Sequence, residues 1–506
     1  MRMNVAQLLD EAAERYGERT AIAFEGETIS YAELADASSC FAGGLQERGI
    51  RPGDRVAVDL PNLPQFVVVI WGIFKAGAIP SPMNPQMRRR EIAHQLQDSQ
   101  AKMIVALVQV LDEVEAATRQ FPQLQIITAG GESRYPRFRH LLKGQPTFVD
   151  RQDDDLALLP YTSGTTGRPK GVLLSHGNLS SNIKTVSQLY DQKGPAAEED
   201  RLLVPIPMYH ITGMTVLMLT PLARGATIYP MLRWDAREAL RLIQAEQISD
   251  FLAVPTIYID LLHHPRSKEY DLSSLKLCSS GGARLPVAVM EAFEERFGVP
   301  IYEGYGLTET SPVTHTNLAA PHRKPGTIGW PIPGAECKIV DDQGQALPPG
   351  QTGELLVRGP MVMQGYHNNP EATRQAIDPD GFFHTGDLAQ LDEEGYYHIV
   401  DRIKDMINVA GLKVFPKEVE KVLYEHPDVA ECAVVGIPDE RKGETVKAYV
   451  LLKPGVGGTE KLAADMQQYC LDQLSAYKHP RQIEFVKTLP KTGSGKIQKY
   501  RLREEQ

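Results

Sequence analysis

The chain has no stretch able to cross a bilayer as a helix. Its most apolar run, Phe66 to Ile79, is broken by Lys75 and by glycines and falls short of the roughly 20 residues a span needs. The five cysteines, Cys40, Cys278, Cys337, Cys432 and Cys470, are far apart and form no C-x-x-C pair. Neither a zinc site nor a disulfide framework is indicated, and they read as buried or incidental thiols. A net charge of −10 argues against a general nucleic-acid surface. Internal repeats and low-complexity segments are absent. The first twenty residues carry acids and form an amphipathic rather than a secretory pattern, so the protein is expected in the cytoplasm.

What is present fits a soluble globular protein, with 42% apolar and 23% charged residues. At 506 residues the chain exceeds one core and suggests three or four compact units. The densest chemistry lies in Tyr161 to Val172, YTSGTTGRPKGV. Leu156 to Leu159 before it and Val172 to Leu174 after it read as buried strands of one sheet. Gly164, Gly167 and Gly171 let backbone turn and approach a ligand closely, and successive N–H groups there form a concavity for anions. Thr162, Ser163, Thr165 and Thr166 add hydroxyls, and Lys170 adds a point charge. Polyphosphate suits such a loop. It is not a Walker A sequence, because no glycine precedes Lys170 and no hydroxyl follows it, which disfavours an ordinary P-loop NTPase.

Around this loop the pattern alternates. Ser30-x-x-Glu33 is a capping box opening a helix towards Gly49. Asp54 to Leu60 and Met103 to Leu107 read as strands, and Phe66 to Lys75 and Arg88 to Gln97 as helices. A second round follows, with strands at 201–205, 251–254 and 275–279 and a helix at 236–247. Two doubly wound parallel sheets are the economical reading. From Gly326 to Val400 short β runs such as Glu336 to Val340 and Gly353 to Val357, punctuated by Gly and Pro, predict a small β-barrel or distorted sheet. After Asp401 comes a compact α+β unit, with helices at 416–426 and 463–474 and strands at 430–435 and 446–452. The fold class is thus α/β: a large N-terminal domain over 1–401, with its barrel from about 326 to 400, and a C-terminal lid domain over 402–506.

The loop Tyr161 to Val172 resembles the signature of the adenylate-forming superfamily of acyl-CoA synthetases, peptide synthetase adenylation domains and firefly-type luciferases. Four further motifs match that family in order. In Gly304-Tyr305-Gly306-Leu307-Thr308-Glu309 the resemblance implies that Tyr305 stacks on adenine, Thr308 bonds the α-phosphate, and Glu309, with Thr162, holds Mg²⁺, a hard cation suited to oxygen ligands. Thr385-Gly386-Asp387 matches the ribose motif, with Arg402 reaching the same sugar. Lys404 matches the interdomain hinge and Gly411 the loop lining the thiol tunnel. Near the end, Pro490 to Lys496 matches the final motif and makes Lys496 the cation between the attacking carboxylate and the α-phosphate.

The implied activity is an acid:CoA ligase, which joins a carboxylic acid to ATP as an acyl adenylate and passes the acyl group to coenzyme A. No enzyme nucleophile is required. Peptide synthetase domains carry an aspartate where this chain has His210, so an amino-acid substrate is disfavoured. Ser279-Ser280-Gly281-Gly282-Ala283 matches one wall of the acyl pocket, with His210 and the stretch Gly304 to Tyr305 opposite. His210 is counted with Lys496, Thr308 and Glu309 among the catalytic candidates. No tryptophan plugs the pocket segment, which favours medium- or long-chain fatty acids, with aromatic or aryl-alkyl acids as the alternative. ATP, Mg²⁺, coenzyme A and the acid are the expected partners. A homodimer and a weak, non-spanning membrane association stay open. The stretch Lys478 to Arg503 carries eight Lys or Arg against Glu484 alone, a local +7 that suits phosphate or a solvated face.

Overall fold

The computed structural model describes residues 4–162, 169–193, 200–439, 441–492, 495 and 497–504. Its largest sheet has nine strands. Six run parallel in the order Ile301–Gly306, Leu277–Ser280, Asp250–Ala253, Arg201–Val204, Thr227–Pro230 and Thr20–Phe24. Antiparallel strands close it at both edges: Val313–Thr316 and Trp330–Pro331 on one side, Glu27–Ser30 on the other. A second sheet is wholly parallel, in the order Ile79–Pro82, Arg55–Asp59, Met103–Leu107, Gln125–Ala129. The two wound sheets are therefore present, but their membership departs from chain order. Thr20–Phe24 and Glu27–Ser30 precede every strand of the second sheet yet join the first, because Ile22 pairs with Ile228.

Local chemistry sets the helices between these strands. Ser30 caps the helix Tyr31–Glu47 with both bonds of the capping box, Glu33 N to Ser30 Oγ and Ser30 N to Glu33 Oε2. The helix Pro64–Lys75 lies between layers with Phe66, Trp71 and Phe74 fully buried. Its Lys75, which breaks the apolar run in sequence, is buried too. The ammonium is satisfied by Asp10 Oδ1, Ala35 O and Ser39 Oγ, so the charge is matched inside the core rather than displaced from it.

Of the two forms expected for this segment, a small β-barrel or a distorted sheet, it takes the second, an open antiparallel sheet in the order Glu336–Val340, Thr352–Arg358, Phe383–Leu391, Tyr397–Arg402. Four strands of this length leave two edges, and the edges are not hydrogen-bonded to each other. A separate C-terminal unit follows. The strands Val429–Asp439 and Gly443–Leu452 form its long hairpin, and Ile407, Val419, Leu423, Val434, Val450 and Met466 belong to a core of their own. The basic run of the sequence is not a bare patch. Lys478 pairs with Glu418, Lys491 with Glu431, Lys499 with Glu420 and Arg503 with Asp405. All five cysteines are free thiols, three of them buried. Among the described residues no helix is long and apolar enough to cross a membrane.

Candidate active site

The flanks of the glycine-rich loop form a small antiparallel sheet. Lys170–Ser175 pairs with Leu156–Leu158 on one side and Gly365–Tyr366 on the other, and Thr162 stands opposite Lys170. Ser163, Gly164, Thr165, Thr166 and Gly167 lie outside the described residues, as does Lys496. Gly171 serves packing rather than turning. A Cβ there would meet the Leu159 side chain at 3.0 Å and the Tyr161 ring at 3.1 Å. The Tyr161 hydroxyl donates to Asp98 Oδ2 at 2.6 Å and anchors the near end of the loop.

This sheet brings Lys170 to Glu309. Lys170 Nζ stands 4.9 Å from the Tyr366 ring centre, and the Tyr366 hydroxyl donates to Glu309 Oε1 at 2.9 Å. Thr308 opens the short helical turn Thr308–Thr310 that presents Glu309, and Met363 N donates to the Glu309 carbonyl. Burial raises the Glu309 pKa, opposed by the Tyr366 hydroxyl and by the charges of Arg402 and Lys170. A carboxylate enclosed in this way is short of positive charge, which suits a cation. Among the described residues no group of three His, Cys, Asp or Glu converges as a ligand cage. A magnesium ion here would rest on Glu309 together with phosphate oxygens, its usual manner of binding.

Next to it, the strands Phe383–Leu391 and Tyr397–Arg402 set Asp387 opposite Arg402. Arg402 Nε lies 2.9 Å from Asp387 Oδ1, and the Tyr305 hydroxyl donates to Asp387 Oδ2 at 2.6 Å. Gly386, at φ +69°, turns the chain so that its N–H donates to Glu354 Oε1. Tyr305, expected to stack on a base, is thus fixed at its far end by the aspartate expected to bind the sugar. Burial pushes its phenol well above the ordinary value.

A cavity opens beside this cluster. Val186, Leu189, Tyr190, Val216, Leu252 and Leu318 line it together with Ser279 to Gly282 and Gly304 to Gly306. It offers about 70 Å³ of room, a slot well below the roughly 300 Å³ of a drug-sized site. Gly281 and Gly304 are neighbours in its lining, where a Cβ on Gly281 would meet the Gly304 carbonyl at 3.5 Å, an ordinary contact. Ala283 and His210 do not line it. From the stretch carrying His210 it is Thr212 and Val216 that face the cavity. His210 precedes the short helix Ile211–Met214, stacks 5.1 Å from Tyr209, and is held neutral by desolvation, with its pKa lowered to about 4.

Lys404 sits in the exposed turn Ile403–Asp405, close enough to Arg402 and Asp387 for their charges to act on it. Gly411 turns the hairpin between Ile407–Val409 and Leu412–Val414 at φ +87° with nothing within 4 Å of its would-be Cβ. Neither joins the cluster directly. Sequence reasoning missed Tyr366 and Tyr190. Each is a tyrosine in an ordinary strand or helix pattern, and only the pairing of distant segments gives it a partner.

Comparison with known proteins gives a consistent result. The family model described as "AMP-binding enzyme" matches residues 9–367, and that described as "AMP-binding enzyme C-terminal domain" matches residues 418–496. The long-chain-fatty-acid–CoA ligase of Bacillus subtilis (strain 168) is 38% identical, over 99% of this chain and 94% of that protein. The feruloyl-CoA synthase of an Amycolatopsis species is 37% identical, over 96% of this chain and 95% of that protein. The crystal structure of the anthranilate CoA ligase AuaEII in complex with anthranoyl-AMP superposes with a TM-score of 0.93 at 31% identity, covering 100% of this chain and 97% of that one.

Proposed function

Because this chain belongs to the AMP-binding enzyme family, we propose that it is an AMP-forming acid:CoA ligase acting on fatty acids of medium or long chain. One observation carries the reading. Gly304 to Gly306 end the apolar cavity and lead directly into Thr308 and Glu309, so one strand end serves both an acyl tail and a phosphate. The acid's carboxylate oxygen attacks the α-phosphorus of ATP, the bond to pyrophosphate breaks, and an acyl adenylate forms. The sulfur of coenzyme A then attacks the acyl carbon and AMP leaves. Glu309 and Thr162 would hold the magnesium ion, which neutralises phosphate charge when bound. Asp387 and Arg402 receive the ribose, Tyr305 faces the base, and the signature loop with Lys170 receives the phosphates. Lys496 balances the charge that gathers as the two anions meet.

Aromatic acids are the second reading, supported by the small room of the slot, which suits a flat ring, and by the feruloyl- and anthranilate-activating relatives. An amino acid has no ammonium partner here, since no carboxylate lines the cavity among the described residues. Pyrophosphate release from ATP should depend on added acid, and acyl-CoA should accumulate only with coenzyme A. Lys496→Ala should lower adenylation about 10²- to 10³-fold while thiolysis of supplied acyl-AMP continues. Equal loss of both half-reactions in single-turnover assays would overturn the role given to Lys496. Faster release with any of the twenty amino acids than with fatty or aromatic acids would overturn the substrate class.

A further inference from the structure

The slot has apolar sides and a polar end. Strand register gives its direction. Gly281 and Gly304 lie at the mouth beside Glu309's turn, and two residues back along the same parallel strands Ser279 stands opposite Tyr302, with Leu252 opposite Ser279 on the next strand. Two residues further back on that strand is Asp250, behind the floor. Val186, Leu189, Val216 and Leu318 supply apolar walls along the way.

Three polar groups are buried at this end. Among the described residues the Ser280 hydroxyl has no hydrogen-bond partner, and for the Ser279 hydroxyl and the carboxyl of Asp250, which is 1% exposed, the polar side chain close enough to act as one is the Tyr190 phenol. Tyr190, lining the slot, brings its phenol within reach of both Asp250 and Ser279, each of which acts on its ionisation. The neighbouring cation is already engaged, since Arg224 pairs with Asp200 at 2.8 Å and with Asp191 at 3.1 Å. Asp250 is therefore a buried acid whose neighbouring cation is shared with two other carboxylates. Burial, reinforced by Asp200, raises its pKa well above the ordinary range and keeps it a neutral donor. Each unmet donor or acceptor in such a place is costly, and buried polar groups normally have partners.

A plain alkyl tail would bring no polar partner to this end of the slot. We propose that the enzyme selects acids whose far end carries a hydroxyl group, received by Ser279 Oγ and the Tyr190 phenol with Asp250 behind them. This rests on the acid:CoA ligase reading and specifies its substrate. A site built to hydrogen-bond a substrate hydroxyl rejects the analogue that lacks it far more strongly than an apolar pocket rejects one methylene.

The test uses matched pairs of acids differing in one oxygen, such as decanoate with 10-hydroxydecanoate and cinnamate with 4-hydroxycinnamate, followed by pyrophosphate release with the full chain. In at least one pair the hydroxylated member should have a kcat/KM higher by about tenfold or more. Tyr190→Phe and Ser279→Ala each remove a single oxygen and should bring that ratio to about threefold or less, in protein whose thermal melt matches the parent. Equal use of both members in every pair overturns the proposal, as does a preference that survives both substitutions, which would mean the groups bind water. Inert hydroxylated and parent acids alike would sink the ligase reading itself, a result distinct from a flat ratio between active acids.

Discussion

At the scale of single residues, Glu309 is held ionisable by a balance of opposed effects. Burial raises its pKa, while the Tyr366 hydroxyl and two nearby cations oppose the rise. Tyr366→Phe removes one of the opposing contributions. Glu309 should then ionise at higher pH, so the acidic limb of the kcat/KM profile should move upward and the KM for Mg-ATP should rise. A hydrogen bond to a charged group contributes about 1.5 to 3 kcal/mol, so activity near neutral pH should fall roughly tenfold or more. An unshifted acidic limb would show that Tyr366 does not act on Glu309. Motif residues such as Thr308, Glu309, Asp387 and Arg402 were legible because order and spacing along the chain carry them. Tyr366 was not, since its bond to Glu309 spans 57 positions and leaves no local pattern. His210 was legible as a departure from an aspartate but was misplaced as a cavity wall. Its backbone starts the helix Ile211–Met214, and Thr212 and Val216 turn inward instead.

At the scale of elements, the short turn Ile403–Asp405 joins the sheet strand Tyr397–Arg402 to the C-terminal unit. We expect it to be the pivot. Lys404→Pro fixes φ near −65° and constrains Ile403 before it, so the turn should be held in one form. Acyl adenylate should still be made, while transfer to coenzyme A should fail in a single-turnover assay. An unimpaired overall rate would remove the pivot. Element existence was readable here because the periodicities are strong, as with Met103–Leu107 and Glu336–Val340, which fall at the expected bounds. Sheet membership was less so. Nothing in the composition of Thr20–Phe24 says that it pairs with Thr227–Pro230, because a parallel pairing is chosen by packing between remote segments. Closure of the β segment was likewise beyond the sequence, which gives strand count but not edge pairing.

At the scale of the whole molecule, buried ionisable groups make stability depend on pH. Glu303, 4% exposed, has its pKa raised by burial to about 7, from 4.5. Its neutral form is favoured by folding, so its contribution is complete below about pH 4.5 and is lost as pH rises through about 7. His315, lowered to about 3 by burial, acts in the other direction and loses its contribution as pH falls below 6.5. Glu303→Gln keeps an acceptor for Leu285 N and removes the first of these dependences. In urea titrations the stability of the variant relative to the parent should improve by up to about 3 kcal/mol between pH 4.5 and pH 8. A constant difference over that range would show that Glu303 does not carry the effect.

The state of the five thiols bears on a hazard of the proposed chemistry. An acyl adenylate is a mixed anhydride and will acylate any thiolate it meets. Burial raises the pKa of Cys40, Cys278, Cys337, Cys432 and Cys470, with Cys337 and Cys470 pushed up to about 12, so at neutral pH the protein offers its intermediate thiols but no thiolates. Ellman's reagent should label the native protein slowly and the unfolded protein at all five positions. The protein would thus be chemically deaf to its own product, leaving the sulfur of coenzyme A as the one that reacts.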